Sequence, residues 1–124
     1  MTILEAINAI NKRKPNTFEE PEIIGWLSEL DSKIKLKIID THEGAEKVEF
    51  KAYGEETPSD TVLLVPEPFS CVYLSWLESC MDYANSEYDK YNNAIIMFNT
   101  AFEAYAAYYN QNHMPVNRGR RFLF

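Results

Sequence analysis

Between Tyr88 and Tyr109, apolar residues recur at Tyr88, Tyr91, Ile95, Phe98, Phe102, Tyr105 and Tyr109, in alternating steps of three and four. That spacing is one stripe of an α-helix. A second line, Ala94, Met97, Ala101, Ala104 and Tyr108, widens the stripe, while Asn92, Asn99, Glu103 and Asn110 lie off it. A helix of about 25 residues would be roughly 37 Å long, more than a small domain covers unaided. An assembly partner is therefore expected.

The 124 residues fit one domain, and 46% hydrophobic with 14% aromatic content supplies enough surface to bury against chain entropy. A net charge of -7 opposes tight nonspecific attachment to nucleic acid, which needs clustered Lys and Arg. No apolar run is long enough to span a bilayer, and MTILEAINAINKRK places its charges after its apolar part, the reverse of a secretory signal. The expectation is an intracellular protein without a membrane partner. Cys71 and Cys80, nine residues apart on one predicted helix, point about 180° apart and lie roughly 13 Å apart along its axis. They are expected to stay reduced, with Cys80 in the core.

Thr2 and Glu5 have capping-box spacing, and Ile3, Ile7 and Ile10 follow as a short apolar stripe, so a first helix runs to about Lys14. Thr17 and Glu20 offer a second capping box, with Pro21 in the first turn and Ile23, Leu27, Leu30, Ile34 and Ile38 behind it. This predicts a second helix over 19–39. Lys33 to Ile38 also alternate with a period of two, so helix is favoured there over strand without being settled. Residues 47–53 and 61–65 read as strands joined by the acidic turn GEETPSD, an inserted β-hairpin. Phe69, Val72, Tyr73, Trp76, Leu77, Cys80 and Ala84 predict a third helix with Glu78 and Asp82 facing out. Asn85 is expected to close it in a left-handed conformation, and Ser86 with Asp89 to open the fourth. One unbroken helix over 69–111 is the alternative.

The predicted fold is a mainly α bundle of about four helices with a hairpin at about 47–65 and a long antiparallel C-terminal helix pair. Residues 1–112 form the single domain, and 113–124 a flexible tail.

Signals for chemistry are sparse. His42 and His113 have no second histidine or cysteine at ligand spacing, the four glycines are scattered, and Asp82, Glu87 and Asp89 are explained by helix capping. No catalytic, metal-binding or cofactor residue is assigned, and no cofactor is expected. Asn92 and Asn99, seven residues apart, share a face with Ile96 and Glu103, which suits hydrogen bonding to a neighbouring subunit; simple exposure is the other reading. In the tail, Arg118, Arg120 and Arg121 are followed directly by Phe122, Leu123 and Phe124, a composition fitted to an acidic or apolar partner groove.

The run YLSWLESCMDYANSEYDKYNNAIIMFNTAFEAYAAYYNQNHMP, residues 73–115, resembles the head-tail adaptor proteins of long-tailed bacteriophages, most specifically in EYDKYNNAIIMFN. Weaker echoes lie in IIGWLSELDSKI and LLVPEPF. The resemblance implies a virion structural protein, without enzymatic activity, assembled in the host cytoplasm. It also implies self-association into a ring, typically twelve-fold, between the portal protein and a tail-side connector component, with DNA passing through unbound. The alternative is a small helical regulatory or DNA-binding protein, though the fourth helix offers Lys90 as its only strong cation. An enzyme comes third, because no nucleophile, base and orienting group share a motif.

Overall fold

The computed structural model describes residues 1–115, which build four α-helices: α1 (Ile3–Arg13), α2 (Glu20–Ile34), α3 (Cys71–Ala84) and α4 (Tyr88–Asn112). The core lies where α1, α2 and α3 meet, and it is closed by the C-terminal half of α4 through Tyr105 and Tyr109. A mainly helical architecture ending in a long antiparallel pair therefore agrees with the sequence pattern.

The first capping box forms: the Glu5 amide donates to Thr2 Oγ1 at 3.1 Å, and the Thr2 amide donates to Glu5 Oε1 at 2.8 Å. Those bonds hold the Glu5 carboxyl below its ordinary range. The second does not form, since Glu19 takes the cap position of α2 without a side-chain bond. Here the chain is turned earlier, by Asn16, whose Oδ1 accepts the Phe18 amide at 3.0 Å. Past Ile34 the helix continues as a π-helical turn, Lys35–Ile39, which buries Ile38 and Ile39. Residues 33–39 are thus helical, and their alternation is incidental.

No β-hairpin exists among the described residues; only two isolated bridges occur, Thr2 with Val62 and His42 with Pro115. The reason lies in where the backbone donors of the 61–65 segment go. The amide of Leu63 donates to Met1 O at 2.9 Å, that of Leu64 to Asp31 Oδ2 at 3.1 Å, and that of Val65 to the Tyr73 hydroxyl at 2.7 Å. With successive N–H groups already satisfied by α1's N-terminus and by side chains, no ladder to 47–53 is left to make. Leu63 and Val65 are buried all the same, so the segment is a core strap rather than a strand.

Two further features differ from the pattern. Asp82 does not face out: it is buried, and the Lys14 ammonium lies 2.6 Å from its Oδ1. Ser75, Ser79 and Asp82 make a buried polar line along α3, while Ala84, placed in the predicted stripe, is exposed. Second, the α3–α4 turn is a Schellman motif in which Ser86, not Asn85, takes the left-handed conformation at φ 58°. The Glu87 amide donates to Asp82 O at 2.8 Å and the Ser86 amide to Tyr83 O at 3.1 Å. Because a side chain there is strained and glycine is not, Ser86→Gly is expected to stabilise the fold by about 0.5–1 kcal/mol, read as a raised urea midpoint.

Candidate assembly surface

From Tyr91 to Asn112 the sequence of α4 contains one charged residue, Glu103. Its inner face is aromatic and packs mostly on α3: the Phe98 ring lies 5.2 Å from Trp76, Tyr91 lies 5.3 Å from Tyr83, and Tyr105 lies 6.1 Å from Phe69. Burial along this stripe is uneven. Only Tyr105 and Tyr109 are fully enclosed, Phe98 and Phe102 are half-buried, and Tyr88 is 55% exposed. Met97 and Ala104, which widen the stripe in the sequence, stand in solvent, while Tyr108, 39% exposed, lays its ring 4.8 Å from that of Phe69.

The outer face carries Asn92, Ile96, Asn99 and Glu103, all exposed and brought together on one side of the helix. Ile96 is 62% and Met97 60% exposed. A helix face this long, with two large apolar side chains, amides, small residues and one charge, differs from the charged outer faces by which helices usually meet water.

The ends of α4 are fixed. At its start Glu87 and Lys90 pair at 2.8 Å, which lowers the carboxyl and raises the ammonium from their ordinary values. At its end Tyr109 lies between the two histidines of the chain, edge-on to His42 at 5.1 Å and stacked on His113 at 3.9 Å. His42 Nε2 contacts Asn110 Oδ1 at 3.2 Å, and the Glu43 amide donates to Met114 O at 2.8 Å. Residues 113–115 are thus tied to the segment after α2. Arg118, Arg120, Arg121, Phe122, Leu123 and Phe124 lie outside the described residues.

Two grooves flank the first half of α4. That on the α1 side is polar, lined by Arg13, Lys14, Glu78, Asp82 and Lys90, with Arg13 Nε 3.0 Å from Glu78 Oε1. That on the α2 side has a volume of about 300 Å³ and is lined by Trp26, Trp76, Cys80, Tyr83, Tyr91 and Ile95. Sequence reasoning missed it, because Trp26 lies off the α2 stripe and Tyr83 off the α3 stripe; two aromatics outside their helical core faces were the available signal.

Cys80 sits in this groove wall rather than deep in the core, and burial pushes its thiol up to about 12, whereas Cys71 is exposed at the start of α3. Native alkylation with iodoacetamide is therefore expected to modify Cys71 rapidly and Cys80 only after denaturation. Mass spectrometry of the peptides reads this; equal rates would refute it.

Among the described residues, no three His, Cys, Asp or Glu side chains converge on a point that could hold a metal, and no helix is long and apolar enough to cross a membrane. Comparison with protein-family models, curated proteins and solved structures gave no match.

Proposed function

We propose that this chain is a virion structural protein: a head-tail connector subunit that forms a ring beneath the portal and joins the DNA-filled head to the tail. The observation that carries the reading is the outer face of α4, nearly uncharged and bearing exposed Ile96 and Met97, on the segment whose sequence resembles phage adaptors. Asn92, Ile96, Asn99 and Glu103 are the subunit contacts in this reading. Amides and small residues let two helices approach closely and still satisfy hydrogen bonds. Arg118, Arg120, Arg121, Phe122, Leu123 and Phe124 would meet the portal, and the tail-side connector component would take the opposite rim. Ring symmetry, twelve-fold by resemblance, follows from the interface angle. Negative net charge lets DNA pass without adhering. The chain has no catalytic role here; it acts in the virion after assembly in the host cytoplasm.

The regulatory or DNA-binding alternative gains nothing from α4, whose sequence from Tyr91 to Asn112 contains no Lys or Arg. The test is electron microscopy of purified portal rings mixed with the full chain. Added density at one rim, lost with a chain in which Arg118, Arg120 and Arg121 are all alanine, supports the reading. Portal rings left bare at saturating protein overturn it.

A further inference from the structure

We propose that copies of this chain associate head to tail, the outer face of α4 in one copy lying in the Trp26–Trp76–Tyr83 groove of the next; this rests on the self-assembly in the connector reading. Among the described residues, one copy carries two apolar surfaces without a partner, on different sides of α4. The first is the face bearing Ile96 and Met97, and the second is the groove lined by Trp26, Trp76, Cys80, Tyr83, Tyr91 and Ile95. Pairing the first with the second covers both in one contact. A symmetric α4–α4 pairing would leave the groove open.

Charge selects the same partner. The α4 face carries a single charge beyond its first turn, Glu103, and the groove, whose lining includes Glu29, has an ammonium beside it: Lys33 Nζ, half exposed, lies 5.4 Å from the Trp76 ring centroid and 3.3 Å from Glu29 Oε2, in reach of a second carboxylate. Glu103 lies seven residues, roughly 10 Å, along the helix from Ile96. With Ile96 and Met97 seated among the tryptophans, it can reach Lys33 at the rim. Because the two patches differ, the contact is heterologous and repeats from copy to copy, closing a ring if its rotation allows.

The test is sedimentation velocity of the full chain over a concentration series to about 1 mM. Ile96→Lys should raise the dissociation constant at least about tenfold, the size of effect for a central anchor. Glu103→Lys and Lys33→Glu should each weaken association about fivefold, and the two combined in one chain should restore it. Circular dichroism melts confirm that the variants fold. A second readout combines Cys71→Ser, Cys80→Ser, Met97→Cys and Ala84→Cys in one chain under mild oxidant, Ala84 being exposed and part of the groove lining: disulfide-linked multimers joined between positions 97 and 84 are expected. A wild-type chain monomeric throughout, an Ile96→Lys chain that associates unchanged, or multimers linked only between two position-97 thiols overturns the proposal. Those outcomes leave attachment to portal rings to be decided by its own measurement.

Discussion

Asp31→Ala is expected to cost about 3–5 kcal/mol, enough to unfold a marginal domain of this size. The carboxylate is fully buried on α2 and accepts three hydrogen bonds: the Tyr73 hydroxyl at 2.7 Å, the Tyr53 hydroxyl at 2.5 Å and the Leu64 amide at 3.1 Å. Tyr73 in turn accepts the Val65 amide, and the Tyr53 amide donates to Ser28 Oγ at 3.0 Å. One side chain thereby joins α2, α3 and the 53–65 strap. Removing it strands three donors in an apolar interior, and a cluster of that kind loses more than its pairwise parts. Urea unfolding reads the loss; a change under 1 kcal/mol would show that water replaces the carboxylate at no cost.

The same site has a pH signature. Burial raises the Asp31 carboxyl above its ordinary range, against the pull of the hydrogen bonds from Tyr53, Tyr73 and Leu64. Burial, with the Asp31 charge behind it, also pushes both phenols up, so they remain protonated donors. A carboxyl with a raised folded-state pKa stabilises the fold fully below its unfolded value, and the contribution falls as pH rises through the folded one. The stability difference between the wild type and Asp31→Asn should therefore shrink as pH rises above about 4, the ordinary aspartate range. Glu5 and Glu87, with lowered pKa values, act oppositely in both proteins and cancel in the difference.

Lys14→Met should be the second large loss, about 2–4 kcal/mol. It leaves Asp82, with 3% of its side chain exposed, as a buried charge without its ammonium. Among the described residues, no hydrogen bond of good geometry to another group supports Asp82 Oδ1, so the Lys14 ammonium is the partner this oxygen depends on. The Lys14 side chain is itself 22% exposed, which keeps the figure below that of a fully enclosed pair. In the double variant Lys14→Met, Asp82→Leu, much of the loss should return, because apolar replacement of both partners removes the uncompensated charge. Chemical denaturation of the three variants checks this; a double variant no more stable than Lys14→Met would assign the loss to packing.

The helices were legible because their apolar residues recur with the period that sets helix faces, and α1 and α4 could be delimited from sequence alone. What misled was periodicity without a partner. Val48, Phe50 and Ala52 alternate like a strand, but a strand needs a neighbour's backbone, and the donors at 63–65 are spent on Met1, Asp31 and Tyr73. Asp31 was readable in principle, since it falls on the α2 stripe four residues after Leu27 and three before Ile34. A carboxylate there is either an error in the face or a buried anchor, and only the approach of two distant tyrosines decides which. The α4 stripe shows the converse limit: regular apolar spacing marks a sticky face, not a covered one.

The Schellman turn at Ser86 reverses the chain so that α4 runs back along α3, and α4 follows the other helices in order of synthesis. Until it has left the ribosome, Phe69 and Trp76 lack Tyr105 and Phe98, and the groove lacks the wall made by Tyr91 and Ile95. A chain cut before residue 91 therefore lacks the α4 face and one wall of the groove. Under the head-to-tail proposal, such a product would be kept out of the assembly by its own incompleteness.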